Sequence, residues 1–257
     1  MKDRRIILCG NRGPGFNAVF HALKTSLDIA LVLVERKPPF PGRLFRRAGR
    51  WGWFKVFGQV AFCRLLLPGL RRRAEPRVKG IQEAFSLETG PMQGVRTVQV
   101  PSVNHPSALR LLKETPAPVV AVFGSSIISG GTLEEVPAPF VNLHLGLSRY
   151  YRGLFCTYWA RVDGRPDRCG VTIHLIDPGV DSGPILEEKV VKPRPEDTFP
   201  SCEWWNLAEG LPLFRDVLAR VCDGGVPNER FPGGKGVQKT IPTAWEYLWN
   251  RKTKGVS

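Results

Sequence analysis

The stretch that most constrains the fold is Asp28 to Glu35, DIALVLVE, in which only the two end residues are polar. A strand with one wet face alternates apolar and polar side chains. An unbroken apolar run fits a strand covered on both faces, the situation of a parallel sheet between two helical layers. Pro118 to Phe123, PVVAVF, has the same character. Ile6 to Cys9 is a shorter run that enters the glycine-rich turn Gly10-Asn11-Arg12-Gly13-Pro14-Gly15-Phe16-Asn17, then a helical pattern through Ala18, Val19, Ala22 and Leu23. Strands alternating with helical patterns predict an α/β class: a mainly parallel sheet with helices on both faces.

The rest of the chain continues the alternation. Gly94 to Val103 reads as a strand through Val95, Val98 and Val100. Asn104-His105-Pro106-Ser107 reads as the cap of a short helix, which makes His105 a capping rather than a reacting residue. Cys169 to Asp177 and Ile185 to Val191 are further strands, and His174, on one face with Thr172 and Ile176, reads as a satisfied sheet histidine. Trp204, Leu207, Leu211, Phe214, Val217, Leu218 and Val221 recur at helical spacing, and Gly224-Gly225 ends that helix. A chain of 257 residues buries one good-sized core with at most a small appendage. The expected division is therefore a main domain over residues 1–222 and a C-terminal extension over 223–257. Six cysteines show no Cys-x-x-Cys pair and no metal-ligand spacing with the four histidines, so they read as thiols of a reduced, cytoplasmic setting with no metal site. The apolar run after the basic start is too short for a signal peptide.

The net charge of +14 is concentrated in one place: residues 36–79 hold thirteen Lys or Arg against one acid, Glu75. An insert this basic points to an anionic partner. Arg43, Arg46, Arg47 and Arg50 fall at roughly helical spacing, followed by the aromatic stretch Trp51 to Leu67 and by Arg71-Arg72-Arg73. Three readings compete. The insert is a pair of helices packed on the main domain; or residues 43–73 make a peripheral contact with a membrane or another anionic surface; or they dock a phosphorylated substrate or tRNA. The apolar run is interrupted by Lys55, Gln59 and Arg64 and is too short to span a bilayer.

Reactive side chains gather between Val141 and Leu186. In a strand, residues two apart share a face, so Asn142 and His144 stand side by side while Val141, Leu143 and Leu145 face the other way. Asp181 follows on a glycine-flanked turn that can bring its carboxylate to the imidazole. A carboxamide donor, a base and a carboxylate that orients the base make a set suited to acyl transfer. Taken singly, each has a plainer reading as a satisfied strand-end or turn residue.

The combined pattern is Asn142-x-His144, then Arg152-Gly153, then Gly170-Val-Thr-Ile-His174-x-x-Asp177-x-Gly179-x-Asp181-x-Gly183-x-Ile185. It resembles the folate-dependent formyltransferase family, which includes glycinamide ribonucleotide transformylase, methionyl-tRNA formyltransferase and the sugar N-formyltransferases, the last being similar in size. The resemblance is strongest over Val119 to Leu186. It implies a Rossmann-like sheet of formyltransferase type with residues 1–222 as the catalytic domain, and Asn142, His144 and Asp181 as catalytic residues. It implies N10-formyltetrahydrofolate as co-substrate, its pterin read by main-chain groups at Ser125, Ser126 and Ile128 and near Val180. Gly13, Gly15 and Asn17 resemble a turn that binds acceptor phosphate, and Arg149 and Tyr150 lie on a loop placed to close over the acceptor. The family usually has Leu-Pro where Leu147-Ser148 stands, which predicts a more adaptable loop. The implied reaction moves a formyl group to a primary amine of a small, anionic acceptor such as a nucleotide-linked amino sugar. tRNA is not expected as acceptor, because the tail is short for the β-barrel that tRNA-formylating relatives carry. Two rivals remain: a formyltetrahydrofolate hydrolase, whose relatives carry a regulatory domain ahead of the catalytic part, and a non-catalytic basic module for membranes or nucleic acid.

Overall fold

The computed structural model describes residues 4–36, 49, 52–226 and 232–256; Arg43, Arg46, Arg47, Arg50 and Trp51 lie outside them. The apolar runs form the strands expected of them: β1 (Arg5–Asn11), β2 (Asp28–Glu35) and β4 (Val119–Phe123), with β3 (Thr97–Val100) at one edge. With β5 (Phe140–His144), β7 (Gly170–Leu175) and β8 (Ile185–Val190) they make a seven-stranded sheet in the order β3-β2-β1-β4-β5-β7-β8. The first five strands in that order pair in parallel, whereas β7 runs antiparallel to β5 and β8 antiparallel to β7. The sheet is thus mainly parallel and of the α/β class expected.

Strand order reverses between β1 and β4, the switch point beside which doubly wound sheets open their crevice. One face carries Ile6, Leu8, Val32, Val34, Val119, Ala121, Val141, Leu143 and Ile173 against α1 (Pro14–Lys24) and the long α7 (Phe199–Gly224). There α7 lies close, because a Cβ on Gly210 would stand 3.0 Å from Leu143 Cδ1. The opposite face carries Ile7, Cys9, Leu31, Leu33, Val120 and Val122 against α4 (Pro106–Glu114) and the short α5 (Gly130–Glu135). His105 caps α4 through Nδ1, as expected. Along this second face the apolar column stops at β5. Val122 is paired with Cys9 on one side and Asn142 on the other, Asn142 with His174, and His144 with Thr172, so β5 and β7 present polar side chains where β1 and β4 present Cys9 and Val122.

The basic insert is helical where described: α2 (Trp53–Ala61), a π turn (Phe62–Leu66) and α3 (Leu67–Ala84), which runs on past Lys79. Its inner side is packed on the domain. Phe62 and Leu67 join Tyr158 and Val162 of α6 (Cys156–Val162), Phe199, and Tyr247 of α8 (Ala244–Lys254) in one cluster. No helix among the described residues is long and apolar enough to cross a membrane.

The loop after His144 contains a strand that the sequence pattern does not reveal: β6 (Tyr151–Gly153) pairs in parallel with β9 (Val237–Lys239) from the tail. Ser148 is correspondingly not a point of slack. It is buried, its N–H donates to Thr172 Oγ1 at 3.1 Å, and its carbonyl accepts from Gly236 N at 3.1 Å. A proline there would lack the N–H that Thr172 accepts, so this chain pins the turn from both sides instead of stiffening φ.

Candidate active site

Asn142 and His144 project from β5 on the uncovered stretch of the second face, and the turn between β7 and β8 folds Asp181 over them. His144 Nδ1 stands 3.4 Å from Asp181 Oδ2, and Asn142 Nδ2 stands 3.3 Å from Asp181 Oδ1. The second oxygen of Asp181 also accepts the Gly153 N–H at 2.9 Å. Asp181 itself adopts a left-handed backbone with φ 46°, a conformation that Asp and Asn tolerate better than most residues. The tail holds the turn in this shape. A Cβ on Gly233 would lie 1.9 Å from Ser182 O, and one on Gly234 would lie 2.6 Å from Ser148 O and 2.8 Å from Asp181 O, so these glycines let the tail backbone rest on both loops. Arg152 clamps the assembly by donating to Gly236 O at 2.7 Å and to Val180 O at 3.3 Å.

His174 does more than satisfy the sheet. Its Nδ1 lies 2.7 Å from Leu175 O, an acceptor, so Nδ1 carries a proton, and its Nε2 stands 3.1 Å from Asn142 Nδ2. Nε2 is also 3.4 Å from Asp181 Oδ1. The register shift between Ile173 and His174 in the β7–β8 pairing puts a bulge at this residue, a feature that re-aims side chains beside sites. The Thr172 face alone reads as that of a satisfied sheet histidine; the antiparallel pairing opposite Asn142, which only the topology supplies, is what brings His174 into the site.

Burial lowers the pKa of His144 below 6.5, outweighing the Asp181 carboxylate that acts to raise it. The ring is therefore neutral at neutral pH. Burial acts to raise the Asp181 pKa, but His144, His174 and the Gly153 N–H together hold the carboxyl well below the usual range, so it is ionised. His144 Nε2 meets Tyr151 O at 3.4 Å and the Cys156 thiol at 3.5 Å. Burial pushes that thiol well up, so it stays protonated.

These groups open on a cleft of about 590 Å³. Ser125, Ser126, Ile128 and Val180 all line it, as do Asn142, His144 and Asp181. Ser126 is held from below by Glu35, which accepts its N–H at 2.6 Å and its hydroxyl at 2.5 Å, and also accepts Val103 N at 2.8 Å. In the sequence Glu35 stands out only as the polar end of DIALVLVE. The opposite wall includes Phe155, Glu203 and the tail residues Gln238, Lys239 and Thr240. Burial, opposed by Arg71, pushes the Glu203 carboxyl up to about 7.

The residues expected on the acceptor side do not line this cleft. Gly13 precedes α1, Gly15 packs toward Phe123 and Leu207, and the Asn17 amide donates to Thr89 O at 3.0 Å. Arg149 pairs with Glu188 at 2.9 Å, and the Tyr150 ring lies 4.5 Å from the Arg168 guanidinium.

Residues 81–203 match the family model described as formyl transferase, and the resemblance read from the motif is borne out. Over 158 residues the chain is 29% identical to a methionyl-tRNA formyltransferase of Trichlorobacter lovleyi, a match to 61% of this chain and 50% of that protein. The chain thus spans about half the length of that curated relative. Among solved structures it is similar to glycinamide ribonucleotide transformylase 1 from Symbiobacterium toebii, with TM-score 0.57 and 18% identity over 86% of this chain and 88% of that one. It is also similar to the formyltransferase PseJ from Anoxybacillus kamchatkensis, solved with UDP-4,6-dideoxy-4-formamido-L-AltNAc and tetrahydrofolate, with TM-score 0.52 and 16% identity over 95% and 90% of the two chains. At these identities the structural likeness is one of fold.

Proposed function

We propose that this chain is a formyltransferase that moves the formyl group of N10-formyltetrahydrofolate to a primary amine of a small, anionic acceptor such as a nucleotide-linked amino sugar. The observation that carries the reading is the convergence of Asn142, His144 and Asp181 within 3.4 Å on one open cleft, inside the segment that matches the formyl transferase family. Residues 1–222 are taken as the catalytic domain, and residues 223–257 as an extension whose strand and glycines complete the cleft wall.

The chemistry follows from the charges that develop. When the amine nitrogen bonds to the formyl carbon, the formyl oxygen becomes negative and the nitrogen holds a proton it must lose. Asn142 donates to that oxygen with the N–H that does not point to Asp181, a contact worth about 3 kcal/mol of barrier. Neutral His144 takes the amine proton through a water, and the imidazolium so formed is stabilised by ionised Asp181. The bond between formyl carbon and donor nitrogen then breaks, that nitrogen is reprotonated, and the formamide leaves. In the donor half of the cleft, the Ser126 N–H is engaged by Glu35, so Ser126 fixes the loop. Reading of the pterin falls to main-chain groups of Ser125, Ile128 and the Val180 turn. The loop 124–128 and the Val180 turn both line the cleft, and main-chain amides there would suit the amide-like edge of a pterin.

The PseJ complex supports the amino-sugar reading, and the sequence relatives support a second one in which a methionyl-tRNA is the acceptor. Release of tetrahydrofolate from the formylated donor, measured with nucleotide-linked amino sugars, glycinamide ribonucleotide, methionyl-tRNA or no amine, separates them. Turnover that requires an amino-sugar nucleotide is the expected result. Turnover with methionyl-tRNA alone would favour the second reading, and equal turnover without amine would make the protein a hydrolase.

A further inference from the structure

Two helices distant in sequence meet on one side of the cleft wall and leave large apolar side chains in water. On α2 and the π turn, Phe54, Phe57 and Leu65 form a stripe and are 74%, 70% and 76% exposed. Phe54 touches Trp245 of α8 with ring centroids 4.4 Å apart, and α8 continues the surface with Leu248 and Trp249, the latter 66% exposed. The other side of α2 is firmly bound. Gln59 is buried and donates to Thr240 Oγ1 at 3.1 Å and Ile241 O at 2.8 Å, and a Cβ on Gly58 would run into the Trp245 ring at 2.2 Å. The exposed stripe is therefore a fixed face and not a loosely attached helix. Across Trp53–Ala74 and Ala244–Lys254 the charged residues are Lys55, Arg64, Arg71, Arg72, Arg73, Arg251, Lys252 and Lys254, against a single carboxylate, Glu246. Glu246 is spent on the cap of α8 through Thr243.

We propose that this face docks the protein on an anionic lipid bilayer, with Phe57, Leu65 and Trp249 entering the headgroup region and the arginine run Arg71 to Arg73 meeting lipid phosphates. Exposed aromatic and leucine side chains beside a cationic rim are the two ingredients of interfacial binding. A second copy of the chain is the weaker occupant, since a two-fold contact through this patch would set cations against cations. Nucleic acid accounts for the cations and aromatics but not for exposed Leu65 and Leu248, which stack on no base. Because Gln59 ties α2 to Thr240 on the cleft wall, docking would hold the cleft close to the membrane surface.

The test is co-sedimentation of the whole chain with vesicles of phosphatidylcholine alone, or with phosphatidylglycerol added, at low and high salt. The expected result is binding to the anionic vesicles only, weakened by salt. Phe57→Ser with Leu65→Ser, and separately Arg71→Gln with Arg72→Gln and Arg73→Gln, should each weaken it by about tenfold or more. Circular dichroism of both variants checks that the fold is kept. No binding to anionic vesicles at low salt, or binding unchanged by both sets of substitutions, would overturn the proposal. So would a dimer in analytical ultracentrifugation that the Phe57 and Leu65 substitutions dissolve. Because vesicle binding is read without turnover, it stands or falls separately from formyl transfer.

Discussion

Gly146 shows how closely His144 is held: a Cβ there would lie 2.7 Å from His144 Nε2 and 2.5 Å from Cys156 Cβ. Gly146→Ala is therefore expected to move the ring and lower kcat by about tenfold or more, with a smaller change in KM for the folate donor. Steady-state kinetics check this, and an unchanged kcat would mean that the ring position does not matter. The pH profile has a definite sign. The active form of His144 is neutral, and burial places its pKa below 6.5, so kcat/KM should rise from acid pH and level off with an inflection below 6.5. An inflection above 7 would show that Asp181 outweighs burial. Asn142, His144 and Asp181 were legible from two-residue periodicity, a glycine-flanked turn and the motif they share. The Asn142–His174 contact was not, because it depends on β7 pairing with β5 in the antiparallel register that sets His174 opposite Asn142. Glu35 was hidden for a different reason: a carboxylate at the end of an apolar run reads as the point where the strand reaches water, whereas here loop N–H groups replace the water.

At the level of elements, the buried strands were readable because a strand covered on both faces has no choice but to be apolar. β6 and β9 are three residues each and carry no such run, so their pairing was invisible. What the tail did display was Gly233-Gly234-Lys235-Gly236, and its physical reason is the close approach to the Ser148 and Asp181 backbones. Gly234→Ala sets a methyl group against two carbonyl oxygens and should destabilise the protein by about 1–3 kcal/mol while lowering turnover. Thermal unfolding followed beside activity reads both, and a variant with wild-type Tm and rate would separate the tail from the site. The turn at Ser148 taught the opposite lesson. The absent proline suggested slack, but rigidity comes from Thr172 and Gly236, which lie 24 and 88 positions further along the chain.

On the scale of the molecule, the sheet turns its reactive side chains on β5 and β7 toward an open cleft. The insert and the tail, the parts least legible in advance, turn out to brace each other and the cleft wall through Gln59, Gly58 and Trp245. Their role escaped a linear reading because the contacts join residues 58–59 to residues 240–245. The proposed transfer requires that Asp181 serve the chemistry and not the fold. Asparagine is the fitting replacement, since it tolerates the left-handed backbone at φ 46° and keeps the shape of the side chain while losing its charge. The decisive measurement is single-turnover formyl transfer from N10-formyltetrahydrofolate to the amine that supports turnover, comparing wild type with Asp181→Asn. A fall of about a hundredfold or more, with circular dichroism and Tm near wild type, is the result expected. Transfer at the wild-type rate in that variant would contradict the mechanism.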